Sequence, residues 1–175
     1  MRNKASRLIR TLKLNKHPEG GYFREIYRSN EKIPRLALPA RYKKSRNFST
    51  HIYFLLLKDE PSMLHRLKSD EIWHLYDGGP LTLHVISQSG RLTTVILAKN
   101  IEGKSSPCAV IPRNSWFGAT IDGTADYCLL GCTVAPGFDF DDFKLADRRK
   151  MLMKYPEYRN IIETLTKKEQ RVFHG

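Results

Sequence analysis

The chain has 175 residues and a formal net charge of +12, from 30 Lys and Arg against 18 Asp and Glu. A length of this order makes one domain, residues 1–175, that can bury about 70% of the surface its unfolded form exposes, so it needs no disulfide or structural metal to fold. Three cysteines, an odd number, and no run approaching about 18 apolar residues argue against secretion and membrane spanning and for a reducing cytoplasm. The basic residues are dispersed over the amino-terminal segment, 41–46, 148–154 and 167–171. They accompany no recognised nucleic-acid motif, so a solvated basic surface is expected rather than a nucleic-acid partner.

Residues 5–14 place Leu8, Ile9 and Leu12 at helical spacing with arginines and lysines opposite, which predicts a short amphipathic helix. Gly20 and Gly21 end it and lead into a strand over 22–28, where Tyr22, Arg24 and Ile26 alternate with Phe23, Glu25 and Tyr27. Residues 29–48 carry two prolines, mixed charge and no sustained period, and read as a long loop, a candidate flap over a site. The stretch 49–57 is the most apolar strand. Its two faces, Thr50, Ile52, Phe54 and Leu56 against His51, Tyr53, Leu55 and Leu57, both call for burial, within a sandwich or against a second copy.

The chain is organised around 62–80, SMLHRLKSDEIWHLYDGGP. Met63, His65 and Leu67 share one face of a strand, so His65 points inward. In the next strand Glu71, Trp73 and Leu75 oppose Ile72, His74 and Tyr76, before a turn at Asp77, Gly78, Gly79 and Pro80. Strands at 81–87 and 92–98 form a hairpin, with His84 expected as a packed or rim residue. A short strand follows at 107–111, then PRNSWFGAT, then a strand over 126–135 in which Gly131 marks a bulge or a close approach. Cys128 and Cys132 sit roughly 13 Å apart on it, too far to bridge, and read as buried thiols. Helices are expected over about 141–155 and 156–167, with a loose tail at 168–175. At least eight short strands framed by one leading and two trailing helices predict a mainly β fold, a small barrel or jelly roll.

The motifs HPEGGYFRE, STHIYFLL, DEIWHLYDG, PRNSWFGA and GCTVAPGFDFDDF resemble, in this order, a branch of the cupin superfamily. It is a domain of unknown function often labelled a predicted sugar epimerase. The resemblance covers roughly 8–156 and implies a single cupin-type β-barrel and a homodimer. His65, Glu71 and Gly78 match the first cupin motif. Leu67 stands where a second metal-binding histidine belongs, and in the second motif Phe117 occupies the histidine position while Asn114 can take up a glycine-like turn.

Three chemistries remain open on the residues. A cupin metal wants three histidines and a glutamate, or two histidines and a carboxylate. Only His65 and Glu71 stand in such slots, so no cofactor is expected and a metal is disfavoured. Metal-free acid and base catalysis on a sugar-like or polar keto compound would use His65 as base and Glu71 as its orienting carboxylate. Glu19, Tyr22 and Arg24 would stand at the rim, with Tyr53, Trp73, His74, Trp116 and Phe117 as binding groups and walls. The third is a non-catalytic module that holds an anionic metabolite or nucleotide.

Overall fold

The computed structural model describes residues 2–100, 103–121 and 123–167. The tail expected to be loose, 168–175, lies outside the described residues. The chain opens with α1 (Arg2–Thr11), β1 (Asn15–Lys16) and β2 (Tyr22–Arg28), followed by β3 (Lys32–Ile33), β4 (Arg46–Asn47) and β5 (Thr50–Leu57). The central stretch gives β6 (Ser62–Arg66) and β7 (Asp70–Gly78), and the hairpin after it β8 (Leu81–Ile86) and β9 (Leu92–Leu97). Then come β10 (Ser105–Ser106), β11 (Cys108–Ile111), β12 (Trp116–Ile121), β13 (Tyr127–Ala135), β14 (Lys144–Leu145), α2 (Arg148–Lys154) and α3 (Arg159–Thr164).

Two six-stranded sheets face one another, ordered β1-β2-β5-β13-β7-β11 and β10-β9-β8-β12-β6-β14. Their β-branched and aromatic residues suit a half-buried pleated surface, and period-two alternation sends every second residue to the interior. Phe54, Leu56, Trp73, Leu75 and Leu130 from the first sheet pack against Leu81, Leu83, Val85, Phe117 and Ala119 from the second. The alternation along β7 is as expected: Glu71, Trp73 and Leu75 are buried while Tyr76 is exposed. Consecutive in sequence, β6 and β7 nevertheless lie in different sheets. His65 and Glu71 are thus not on neighbouring strands; they approach from opposite walls of the sandwich.

The outer faces take the helices. α1 covers part of the first sheet, packing Ala5, Leu8 and Ile9 on Leu55 and Leu129. That cover accounts, within the chain itself, for Tyr53, Leu55 and Leu57 of the second apolar face of β5. α2 and α3 cover the second sheet through Met151, Tyr155, Ile162 and Leu165 on Leu64 and Ile86. The trailing helices are shorter than the charge pattern predicts, because Asp147 caps α2 by accepting a hydrogen bond from the Lys150 N–H. The aspartates before it instead form a 3-10 turn at Phe140–Asp142. Among the described residues no helix is long and apolar enough to cross a membrane.

Residues 29–48 are not the flap their composition suggests. β3 pairs with β4, Tyr42 is fully buried with its hydroxyl 2.9 Å from Ser69 Oγ, and none of the segment lines the interior cavity. Its anchor is Arg46, whose guanidinium donates to both oxygens of Asp142 at 2.6 and 2.8 Å with both side chains buried. Asp142→Ala leaves that guanidinium buried with Asp139, 4.0 Å away, as its nearest remaining counter-charge, and is expected to cost about 3–5 kcal/mol, a fall of roughly 6–20 °C in melting temperature. Replacing the pair together, Arg46→Met with Asp142→Leu, should recover much of the loss. Calorimetry that finds the single variant within a degree of the parent would show that the anchor is elsewhere.

Candidate functional site

A cavity of about 320 Å³ opens between the sheets. Its polar floor is built by three segments. β6 carries His65, whose Nδ1 lies 2.8 Å from the Met63 carbonyl. A carbonyl only accepts, so Nδ1 bears the proton and Nε2 of a neutral ring is left as an acceptor. The turn before β2 brings Glu19, whose Oε2 stands 3.2 Å from that Nε2 and 3.3 Å from Nδ1 of His17. Oε1 of Glu19 accepts from the Ser62 hydroxyl at 2.9 Å. Oε2 of Glu19 is thus placed to share one proton with His65 Nε2, with His17 Nδ1 nearly as close, and with both rings neutral the cluster carries no net charge.

Burial sets the charge states. Glu19 is pushed well above the usual carboxylate range, first by loss of water and then by the charge of Glu71. Burial lowers His65 to about 3 and His17 to about 4, so both rings are neutral and the shared proton rests on Glu19. Glu71 enters from β7 with only 7% of its surface exposed, and burial raises it to about 7. The nearby Trp73 indole and Cys132 thiol oppose that rise. Yet among the described residues neither Oε2 of Glu71 nor Nε1 of Trp73 has a hydrogen-bond partner. The site thus presents an acid that can give a proton, the Glu19–His65 pair, and a carboxyl poised to gain or lose one near neutrality, Glu71.

The walls are apolar. Phe23, Phe54, Phe138, Phe140 and Phe143 line the cavity with Ile52, Leu67 and Val134. At the mouth Arg28 donates to both oxygens of Glu25, at 2.9 and 2.7 Å. Arg28 reaches the cavity because β2 shifts register between Glu25 and Tyr27, which restores Arg28 to the inward face.

Of the residues singled out from the sequence, the structure brings Glu19, His65 and Glu71 to one cavity. Phe117 packs on His65 with ring centroids 4.0 Å apart, and Trp73 is buried against Phe54 and Phe117 in the core. The other five lie elsewhere. Trp116 faces outward beneath Arg66, in the cluster covered by α2 and α3, because its neighbour Phe117 takes the inward position on β12. Tyr22 and Tyr53 belong to the outer face under α1, Arg24 donates to the Leu12 carbonyl, and His74 stands on the outer face near His51. The partner of His65 is also different, since Glu19 rather than Glu71 touches it. His17 and the phenylalanines after Pro136 were not among the residues singled out from the sequence, and Glu25 and Arg28 follow only from the polar residues of the 22–28 strand, which left an inward and a solvated reading open. The two-residue spacing of His17 and Glu19, and the aromatic and acidic alternation at 138–143, are the signals that mark them.

Two of the positions at which the cupin superfamily carries metal-binding histidines hold other residues in this chain. Leu67 and Phe117 offer no donor atom, and Nδ1 of His65 is turned to the Met63 carbonyl while Nε2 stands 3.2 Å from Glu19 Oε2. Among the described residues no three His, Cys, Asp or Glu side chains are placed to hold an ion.

Residues 6–146 match a family profile described as Cupin superfamily (DUF985). The fold is similar to the crystal structure of protein SO0799 from Shewanella oneidensis, with TM-score 0.84 and 35% identity over 94% of this chain and 98% of that one. The uncharacterized protein YML079W of Saccharomyces cerevisiae is 27% identical over 143 residues, 77% of this chain and 71% of its own length. An oxalate decarboxylase of Bacillus subtilis, a protein with Mn(II) centres, shares the fold at TM-score 0.52 and 15% identity, over 89% of this chain and 38% of that one.

The ionisation of Glu71 has a measurable sign. Its folded value of about 7 lies above the ordinary 4.5, so the folded state holds a proton that the unfolded chain has released. Its contribution to stability is full below about 4.5 and is lost as pH rises to about 7, by an amount on the order of 3 kcal/mol. Glu71→Gln should remove that slope, and its melting temperature should exceed the parent's at about pH 8 while matching it near pH 4.5. Parallel melting curves for the two proteins across this range would contradict the assignment.

Proposed function

We propose, for a chain that belongs to the cupin superfamily in its DUF985 branch, that the cavity binds a small carbonyl compound and moves a proton beside the carbonyl without a metal. One observation carries the reading: a neutral proton-bearing pair, Glu19 and His65, and a carboxyl with a pKa of about 7, Glu71, line one largely apolar cavity.

The roles follow from the charge states. Glu71, ionised, takes the proton from the carbon next to the carbonyl, and the C–H electron pair becomes the new carbon–carbon double bond. The carbonyl π electrons move onto oxygen, which receives the proton held between Glu19 Oε2 and His65 Nε2. The enol collapses when the hydroxyl proton returns to the pair and Glu71 delivers its proton to carbon. This differs from an imidazole base oriented by Glu71, because His65, lowered to about 3 and occupied at both nitrogens, has little basicity left at neutral pH. Low dielectric around the floor strengthens each of these interactions. The epimerase label rests on family resemblance; an isomerase needs only the one carboxyl described.

Incubating carbonyl compounds, both keto-sugars and aryl ketones, in deuterated water tests the reading by mass spectrometry. Native protein should exchange the acidic C–H of at least one of them, equally with and without a chelator. Glu71→Gln should slow the exchange by about 10²–10⁴-fold, the range for a lost general base. Exchange abolished by the chelator, or undiminished in the variant, contradicts the mechanism. No exchange with any compound would favour a non-catalytic binding module.

A further inference from the structure

The lining of the cavity speaks to its ligand more directly than the family label does. Five of its residues are phenylalanines, and three more are Ile52, Leu67 and Val134. The polar lining groups are largely spent on one another. Glu19 is satisfied by Ser62 and His65, and Arg28 by Glu25, Asn47 and the Phe138 carbonyl. The Thr50 hydroxyl accepts from the Phe138 N–H, and Asp139 accepts from the Asp141 N–H. That leaves the proton of the floor, the unpartnered Oε2 of Glu71, the Nε2 edge of His17 and the weakly polar Cys132 thiol, too few groups for the hydroxyls of a sugar.

A sugar brings about five hydroxyls, and each one buried without a partner costs about 1–3 kcal/mol. A phosphorylated sugar also needs a cationic clamp, whereas the guanidinium that lines this cavity is already bound to a carboxylate. We propose that the ligand is a compact, uncharged, aryl-bearing carbonyl compound: its ring packs against the phenylalanine wall and its carbonyl and adjacent C–H meet the floor. This rests on the proton-transfer reading above and names its substrate class. Phe140 is the ring through which the wall can be probed. It lines the cavity yet is 56% exposed, at the mouth, with its ring centroid 5.0 Å from that of Phe138 and 6.1 Å from that of Phe143. Truncating it removes ligand-facing surface without opening a hole in the core.

The test is calorimetric titration of the full chain with phenylacetone, fructose and fructose 6-phosphate, with Phe140→Ala beside the parent and melting curves to confirm that the variant is folded. Phenylacetone should bind and the two sugars should not, and Phe140→Ala should weaken phenylacetone by roughly 2–12-fold. Tighter binding of either sugar overturns the assignment. So does the absence of phenylacetone binding, or its persistence unchanged in the variant, which would place the compound outside the cavity. Binding is scored without turnover, so this outcome is separable from that of the mechanism. Phenylacetone that binds without taking up deuterium ends the proton-transfer reading and keeps the ligand class. Fructose that exchanges deuterium while phenylacetone fails to bind does the reverse.

Discussion

The arrangement of the site depends on one buried contact, Glu19 Oε2 against His65 Nε2 at 3.2 Å. Two ionisable groups out of water are tolerated when they are neutral together and their remaining lone pairs and protons are satisfied. Ser62 and the Met63 carbonyl supply that satisfaction. The backbone helps, because the Met63 N–H donates to the Glu19 carbonyl at 2.7 Å and so ties the turn before β2 to the start of β6. Glycine is required for the approach. Gly20 adopts a φ of +110°, and a Cβ there would run into the Pro61 carbonyl.

Around that pair the interior divides into a small polar floor and an apolar wall. At two positions where the superfamily places metal-binding histidines stand Leu67, in the wall, and Phe117, in the core behind His65. Phe117 does more than fill space, since its ring against His65 helps to keep water from the imidazole and so keeps it neutral. Glu71 faces the same space without a compensating cation, and its raised pKa follows from that isolation. Basic residues make the chain +12 overall, yet among the described Lys and Arg only Arg28 lines the cavity, already paired with Glu25. Surface charge is therefore a poor guide to what this interior accepts.

Much of the fold was legible because strand alternation is a local rule. The inward set His65, Glu71 and Trp73 follows from period two alone, and the glycine within β13 marks the close approach at Gly131, where the Tyr76 ring lies across the position a Cβ would take. Asn114 takes the glycine-like conformation expected of it, at φ 61°. What alternation cannot give is the sheet in which a strand sits. β6 and β7 are separated by three residues yet belong to opposite sheets, and the partner of His65 comes from Glu19, 46 positions earlier. A bulge in β2 defeated the parity of Arg28. At PRNSWFGA the pattern allowed either aromatic to face inward, and only tertiary packing sends Trp116 out and Phe117 in.

The protonation of His65 is the most direct test of the whole account. Nitrogen-15 chemical shifts of its imidazole, followed by NMR from ~pH 8 down to ~pH 5, distinguish the two neutral tautomers from the cation, and an ordinary histidine would titrate within that window. One state is expected throughout: Nδ1 protonated toward Met63, and Nε2 unprotonated beside Glu19. An imidazolium at ~pH 6, or a proton resident on Nε2, would contradict it.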